Sequence, residues 1–147
     1  MNPASASSIK EIRLKKNYSF MYENFVLSSQ NEVFLLLESD EQQVSILKFS
    51  STTVYKFGYP NDEVSHPLEN SGLGSYGFYE VSNSGWLKEI IKINQHHHRH
   101  SDEMFFRDKH FIAKFKDVTF EIIAINFEEV TMSVAQLLDL VKKEITQ

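Results

Sequence analysis

The chain has 147 residues, 41% of them hydrophobic and 24% charged, so it is long enough to bury a core and its composition excludes global disorder. Its formal net charge of −5 argues against a nucleic-acid partner held by bulk charge, because such proteins normally present a basic surface. The absence of cysteine excludes disulfides, thiolate metal sites and cysteine nucleophiles.

Hydrophobic runs along the chain are short. The longest, at residues 33–37, is far below the length of a membrane span, so we expect no membrane partner. The first ten residues lack a basic segment followed by an apolar one, so we expect no secretory signal and a cytoplasmic location.

The N-terminal third predicts the start of a sheet. Residues 1–8 are small and polar, and we expect a flexible terminus there. Residues 9–14 can begin a strand, and residues 19–27 fit a helix or a strand. Residues 32–38 and 44–49 flank a polar connection, and the pair predicts a β-hairpin.

The middle of the chain holds a strand, a long loop and a helix. Residues 52–57 predict a further strand or the continuation of the preceding one. Residues 58–77 form an irregular segment of a length that is usually functional or partly structured. Residues 78–81 predict a short strand, and residues 84–94 a helix capped by Ser84.

The C-terminal third predicts a hairpin that turns at residues 116–117, followed by a helix from residue 134 to about residue 145. Ser133 and Gln136 match a capping box. The apolar positions expected to form the buried face of this helix are Val134, Leu137, Leu138, Val141 and Ile145. We therefore predict an α+β fold in which residues 9–147 form a single domain, mainly an antiparallel sheet with the mid-chain and C-terminal helices packed on one face.

The stretch GLGSYG places Gly72, Gly74 and Gly77 at the G-x-G-x-x-G spacing of phosphate-binding loops. A dinucleotide-binding fold needs a strand before this motif and a helix after it, whereas the strand-like FYEV follows here. Protein kinases use the same glycine spacing between two strands, but the other sequence motifs of a kinase are missing from this chain. We expect no nucleotide at residues 72–77, and we expect the glycines to turn the chain into the next strand.

The tract QHHHRH at residues 95–100 has two possible roles. Its histidine spacings can ligate a metal on either a strand or a helix. The tract also follows a helix C-terminus, where His and Arg favour the negative end of the helix dipole and cap free carbonyls. We favour capping and surface packing, and predict no metal and no cofactor.

Charged side chains in the long loop form another candidate site. Asn61, Asp62, Glu63 and His66 could provide an acid–base pair or part of a metal shell. The alternative is a turn in which Asn and Asp bind their own backbone.

Register in the last hairpin gives a further candidate. A turn at residues 116–117 sets Ile112 opposite Glu121 and His110 opposite Ile123. His110, Lys114 and Glu121 then project from the same face, at distances that these side chains can span. A cross-strand charge pair explains this arrangement, but a histidine beside a glutamate is also the pairing from which a general base is built.

Several short motifs resemble a family of small, largely uncharacterised bacterial proteins. They are a PNDE…HPL loop, an NS-x-W helix start, an H-x-RHSD-like turn and a KHFI-x-x-F-x-D-x-TFE hairpin, and they cover roughly residues 57–124. The resemblance implies no particular activity. It does imply that the matched polar residues converge in space as a binding site: Asn61, Asp62, Glu63, His66, Arg99, His100, Asp102, His110 and Glu121.

Three hypotheses about function follow from these observations. A small, acidic, cysteine-free domain without a recognisable catalytic set favours a non-enzymatic protein-binding domain, such as an immunity-type or regulatory protein that masks a basic partner. The alternative is a small His/Glu-based or metal-dependent hydrolase using His66, His100, His110 and Glu121. A pH-sensing surface formed by the histidine tract is a third hypothesis.

Overall fold

All seven strands of the computed structural model, which describes residues 6–60 and 66–146, belong to one antiparallel sheet. The strands are β1 (Ser8–Glu11), β2 (Phe25–Ser28), β3 (Glu32–Ser39), β4 (Gln43–Gly58), β5 (Gly77–Ser82), β6 (Lys109–Lys114) and β7 (Thr119–Ser133). The helices are α1 (Gly85–Asn94) and α2 (Val134–Ile145), with 3-10 turns at Glu69–Ser71 and Asp102–Phe105. The predicted α+β class with its mid-chain and C-terminal helices is confirmed.

The order of strands across the sheet is β1-β5-β6-β7-β4-β3-β2. The predicted hairpins are present as β3–β4 and β6–β7, and residues 52–57 continue β4 as one of the two expected alternatives. β1 begins at Ser8, the last residue of the terminal segment that we expected to be flexible. The long strands β4 and β7 pair from Gln43–Ser133 to Gly58–Thr119 and join the two halves of the sheet.

One face of the sheet carries the main aromatic core. Phe49 is fully buried there, and its ring contacts four other phenylalanine rings from β5, β6 and β7. The chain between β1 and β2 covers this face with residues 12–20, which we call the strap. Ile12, Leu14, Tyr18 and Phe20 of the strap pack against the core.

Backbone bonds and one carboxylate attach the strap to the sheet. The amide of Ile12 donates to Phe78 O, and the amide of Lys116 donates to Phe20 O. Glu129 on β7 accepts hydrogen bonds from the amide of Lys15 at 2.6 Å and from the hydroxyl of Tyr18 at 2.6 Å. Burial, followed by the hydrogen bond to Glu129, raises the pKa of Tyr18 to about 12.

The raised pKa of Tyr18 predicts a loss of stability at alkaline pH. Because the pKa of Tyr18 is raised in the folded state, its contribution is complete below pH 10.0 and is lost as pH rises towards about 12. We expect the Tyr18→Phe variant to lose less stability over this interval than the wild type, as measured by urea unfolding at successive pH values. Tyr22→Phe, at a tyrosine that is 68% exposed, is the control. Equal pH dependence in the wild type and Tyr18→Phe would contradict the prediction.

The opposite face of the sheet carries both helices. Leu137 and Leu140 of α2 pack with Phe34, Val44 and Ile46, while Trp86 of α1 lies against His110 on β6. The capping box at Ser133 is present as predicted.

The expected buried face of α2 is wrong in part. Val134 is 38% exposed, Leu138 is 63% exposed and Ile145 is 76% exposed. Since β7 runs directly into α2 at Ser133, the strand end fixes where the helix begins and brings only part of the apolar stripe onto the sheet. Within the described ranges, neither helix has the length and apolar character required to cross a membrane.

Candidate functional site

The glycine motif leads directly into β5 and not into a helix, as the sequence predicts. Gly72 ends the 3-10 turn at Glu69–Ser71 with φ of +106°, a backbone conformation that favours glycine. A Cβ added at Gly74 would stand 3.1 Å from the hydroxyl of Tyr79, which donates to Ser75 O. The motif therefore turns the chain and accommodates the end of the Tyr79 side chain.

The histidine tract forms a compact turn after α1. His97 and His98 are exposed and their rings stack at 4.7 Å. Backbone amides of the tract, including that of His96 to Ile93 O, satisfy carbonyls at the helix end. The predicted capping is thus performed by the backbone, and no hydrogen bond from a tract side chain to a helix carbonyl is found in the described part of the chain.

His100 belongs to a separate local group. Its Nδ1 lies 2.8 Å from the side-chain amide of Asn94, and its Nε2 lies 2.6 Å from Asp102 Oδ1. Arg99 is exposed beside it. Asn61, Asp62 and Glu63 lie outside the described residues.

The three remaining predicted residues are in contact, because His66 and His110 both lie within hydrogen-bond distance of Glu121. Its Oε1 is 2.8 Å from His110 Nε2, and its Oε2 is 3.1 Å from His66 Nε2. Glu121 and His110 reach one another from β7 and β6 in the predicted register, with Ile112 opposite Glu121 and His110 opposite Ile123. His66 arrives from the long loop, and all three side chains are at least nine-tenths buried.

Ser84 completes this group, although the sequence indicated it only as a helix cap. Its Oγ accepts the amide of Leu87 at 3.0 Å, as a cap does, and also lies 2.8 Å from His110 Nδ1. No sequence pattern gave this contact, because it depends on the β5–β6 register, which pairs Val81 with His110 and brings the end of β5 beside this histidine. We call Ser84, His110, Glu121 and His66 the Glu121 network.

The donor and acceptor roles in the network follow from three groups whose roles are known. The ionised Glu121 carboxylate accepts, and the backbone amides of Leu68 and Leu87 donate. An ionised Glu121 only accepts, so both imidazoles present an Nε2–H to it. His66 Nδ1 accepts the amide of Leu68 at 3.0 Å, so protonation of this nitrogen would break a bond. His110 Nδ1 faces a hydroxyl, which can donate to the neutral ring or accept from the protonated one. His110 is therefore the histidine of the network that can gain a proton without losing a partner.

A cation and an aromatic ring border the network. Lys56 of β4 stands opposite Glu121 in the sheet, and its Nζ is 3.7 Å from Glu121 Oε2. The same ammonium lies 4.2 Å from the centroid of the Trp86 ring, within the range of a cation–π contact. Trp86 in turn packs edge-on against the His110 ring at 5.3 Å.

The Glu121 carboxyl is held ionised inside the protein. Burial alone would raise its pKa, but the hydrogen bonds from His110 and His66, together with the charge of Lys56, hold that pKa well below its usual range. The carboxylate can thus orient and stabilise a positively charged imidazole beside it.

Acidification is expected to remove the contribution that the Glu121 carboxylate makes to the stability of the fold. Because the pKa of Glu121 is lowered in the folded state, its contribution is present above about pH 4.5 and is lost as pH falls further. We expect the difference in unfolding free energy between the wild type and Glu121→Gln to shrink below that pH, by at most about 1.4 kcal/mol per pH unit. Urea unfolding between neutral and acid pH measures it. A difference that stays constant far below pH 4.5 would contradict the lowered pKa.

The network borders two depressions on the surface. A cavity of about 560 Å³ is lined by Glu121, His66, His110, Lys56, Trp86 and Tyr59, among others, and its size suits a small organic ligand. A second depression of about 410 Å³ is lined by Ser84, Leu87, Asp108 and again His110. His110 therefore connects the two. In the parts of the chain that the structure describes, no three His, Asp or Glu side chains are arranged to hold a metal ion.

Comparisons of the chain with models of protein families, with curated proteins and with solved structures found no match.

Proposed function

We propose that the protein is a small hydrolase of the His/Glu type, in which His110 is the general base and Glu121 orients it. The observation that carries the proposal is the hydrogen-bond chain from Ser84 Oγ through the His110 ring to the Glu121 carboxylate, with 2.8 Å at each step. The sequence favoured the protein-binding domain over the hydrolase. We reverse that preference, because the net charge and the lack of a recognisable catalytic motif carry no information about these contacts.

Proton transfer in such a site depends on where the imidazole can accept. Nε2 of His110 donates to Glu121, so the proton from an attacking group arrives at Nδ1. The resulting imidazolium lies directly against the buried carboxylate, whose negative charge stabilises it. His66 keeps the second carboxylate oxygen in place.

We propose that the substrate spans the two depressions that His110 connects, with its larger part in the larger cavity. The Trp86 ring supplies an apolar surface and the half-exposed Lys56 supplies a positive charge at its wall. This combination suits a small organic substrate with an anionic or strongly polar group. The described residues lend no support to the metal-dependent version of the hydrolase.

Hydrolysis assays test the proposal directly. Purified protein is offered nitrophenyl acetate, nitrophenyl phosphate and a peptide anilide as representatives of three ester and amide classes. We expect turnover of at least one class, reduced about 10²-fold or more in Glu121→Gln and His110→Asn. Glu128→Gln and His98→Asn, at exposed positions, serve as matched controls and should keep full activity. Turnover of none of the three, or equal turnover in Glu121→Gln, would overturn the proposal.

A protein-binding domain that masks a basic partner, of immunity or regulatory type, is the second candidate. It is supported by the net charge of −5 and by three large apolar side chains exposed within one short stretch, Ile93, Met104 and Phe106. We propose the cytoplasm as the location for either function.

Binding measurements separate this candidate from the hydrolase. A partner isolated from the native host should bind the purified protein with an affinity that falls with salt and falls again in Phe106→Ser. Tyr22→Ser, also at an exposed aromatic, is the control. A native host that yields no stable protein partner would count against the candidate.

A further inference from the structure

We infer that Ser84 is a nucleophile, and that the Glu121 network therefore cleaves carboxylic esters through a covalent acyl-enzyme. The inference rests on the proposed hydrolase function and names its attacking group and substrate class. Ser84 makes one more buried contact than a helix cap requires.

The two serine caps of the chain allow a direct comparison. Ser133 caps α2 by accepting the amide of Gln136 at 3.0 Å, and Gln136 bonds back to its amide. Ser84 accepts the amide of Leu87 in the same way, but is 5% exposed and also bonds His110. Since capping is complete with the amide alone, the bond to His110 is an additional feature of Ser84.

Local backbone geometry presents Ser84 at a sharp turn. β5 ends at Ser82, Asn83 adopts a left-handed conformation with φ of +56°, and α1 begins at Gly85. A serine at a sharp strand-to-helix turn is the position of the nucleophile in a large class of hydrolases. Ser84 and His110 both line the depression of about 410 Å³, which gives an ester access to the hydroxyl.

Electrostatics around Ser84 favour its ionised form. The amide of Leu87 donates to Oγ from the first turn of α1, where the helix dipole is positive. Amides at the first helical positions, Gly85 and Trp86, have no acceptor within the helix. These amides are donors for the oxyanion that develops on a carbonyl under attack.

The reaction balances with the groups that are present. Oγ of Ser84 bonds to the ester carbonyl carbon while His110 Nδ1 takes its proton, and the bond from that carbon to the alkoxy group breaks as the alcohol leaves with this proton. Water then gives a proton to His110 and its oxygen to the acyl carbon. The bond to Ser84 breaks, and Oγ recovers the proton.

Covalent labelling tests the inference. A fluorophosphonate probe reacts with activated serines, and we expect a single adduct that peptide mass mapping assigns to Ser84. Ser84→Gly, which introduces another residue that is favoured as a helix cap, should abolish labelling and lower kcat/KM for nitrophenyl acetate about 10³-fold or more. Ser133→Gly makes the same change at the other cap and should label fully. Ser84→Thr keeps a hydroxyl and a cap, and should regain part of the labelling lost in Ser84→Gly.

The outcomes separate the two proposals. Ester hydrolysis that requires His110 and Glu121 but persists in Ser84→Gly, without an adduct in the wild type, overturns the nucleophile and leaves the hydrolase standing with water as the attacking group. Absence of labelling together with turnover of none of the three substrate classes overturns both proposals. A folded Ser84→Gly protein, shown by its circular dichroism, ensures that lost labelling reports the missing hydroxyl.

Discussion

The Glu121→Gln variant is expected to lose about 2–4 kcal/mol of unfolding free energy at neutral pH, although the side chain keeps its size. In the wild type the carboxylate accepts an N–H from His110 at one oxygen and from His66 at the other. An amide offers one acceptor and places its NH₂ group against the second N–H, so a buried donor loses its partner. Lys56 also loses the charge that lies 3.7 Å away.

Urea unfolding at neutral pH measures this effect. Glu128→Gln is the matched control, since Glu128 lies on the same strand but is exposed and should change stability by less than about 0.5 kcal/mol. A Glu121→Gln protein as stable as the control would show that the buried histidines find other partners, and would remove the physical basis assigned to the network.

Truncation of Phe49 to alanine is expected to destabilise the protein by about 3–5 kcal/mol. Its side chain is fully buried at the centre of the sheet face beneath the strap. The ring lies within 5.6–6.4 Å of the Phe78, Phe111, Phe120 and Phe127 rings, so its removal leaves a cavity lined by rigid aromatic neighbours. Such neighbours cannot readily close the space.

Phe57→Ala on the same strand provides the comparison. Phe57 is 41% exposed and contacts Phe120 at 6.4 Å at the edge of the core. Its truncation should cost about 1 kcal/mol. Similar losses in the two variants, measured from urea midpoints, would show that the core repacks around Phe49 and that the ring cluster is less rigid than its geometry indicates.

Local patterns predicted most elements of this fold because each of these is set by nearby residues, but they did not predict that β7 continues to Ser133. The β6–β7 register follows from a two-residue turn and strict alternation, which also places His110 and Glu121 on one face. Ser84 and Ser133 caps follow in the same way. In α2, by contrast, the apolar stripe predicted a wider buried face than the sheet covers, because burial depends on the partner surface and not on the helix alone.

The candidate site could not be predicted completely from the sequence, because its geometry depends on contacts that sequence patterns do not specify. His66 reaches Glu121 from an irregular loop, and Lys56 reaches it only through the pairing of β4 with β7. Ser84 was explained locally as a cap, so its contact with His110 was missed. The resemblance grouped His100 with these residues, but Asn94 and Asp102 are its hydrogen-bond partners, and no hydrogen bond joins it to the Glu121 network among the described residues.

The strap has a consequence for how the chain must be made. β1 and β2 are consecutive in the sequence yet lie at opposite edges of the sheet, so β1 is synthesised before the strand that pairs with it. β1 pairs with β5, and the strap is anchored by Glu129, which follows Lys15 of the strap by 114 residues. A β-rich topology with such distant pairings folds slowly. The strap therefore closes over the aromatic core only after β7 has been synthesised, and until then apolar surface of that core is exposed to aggregation.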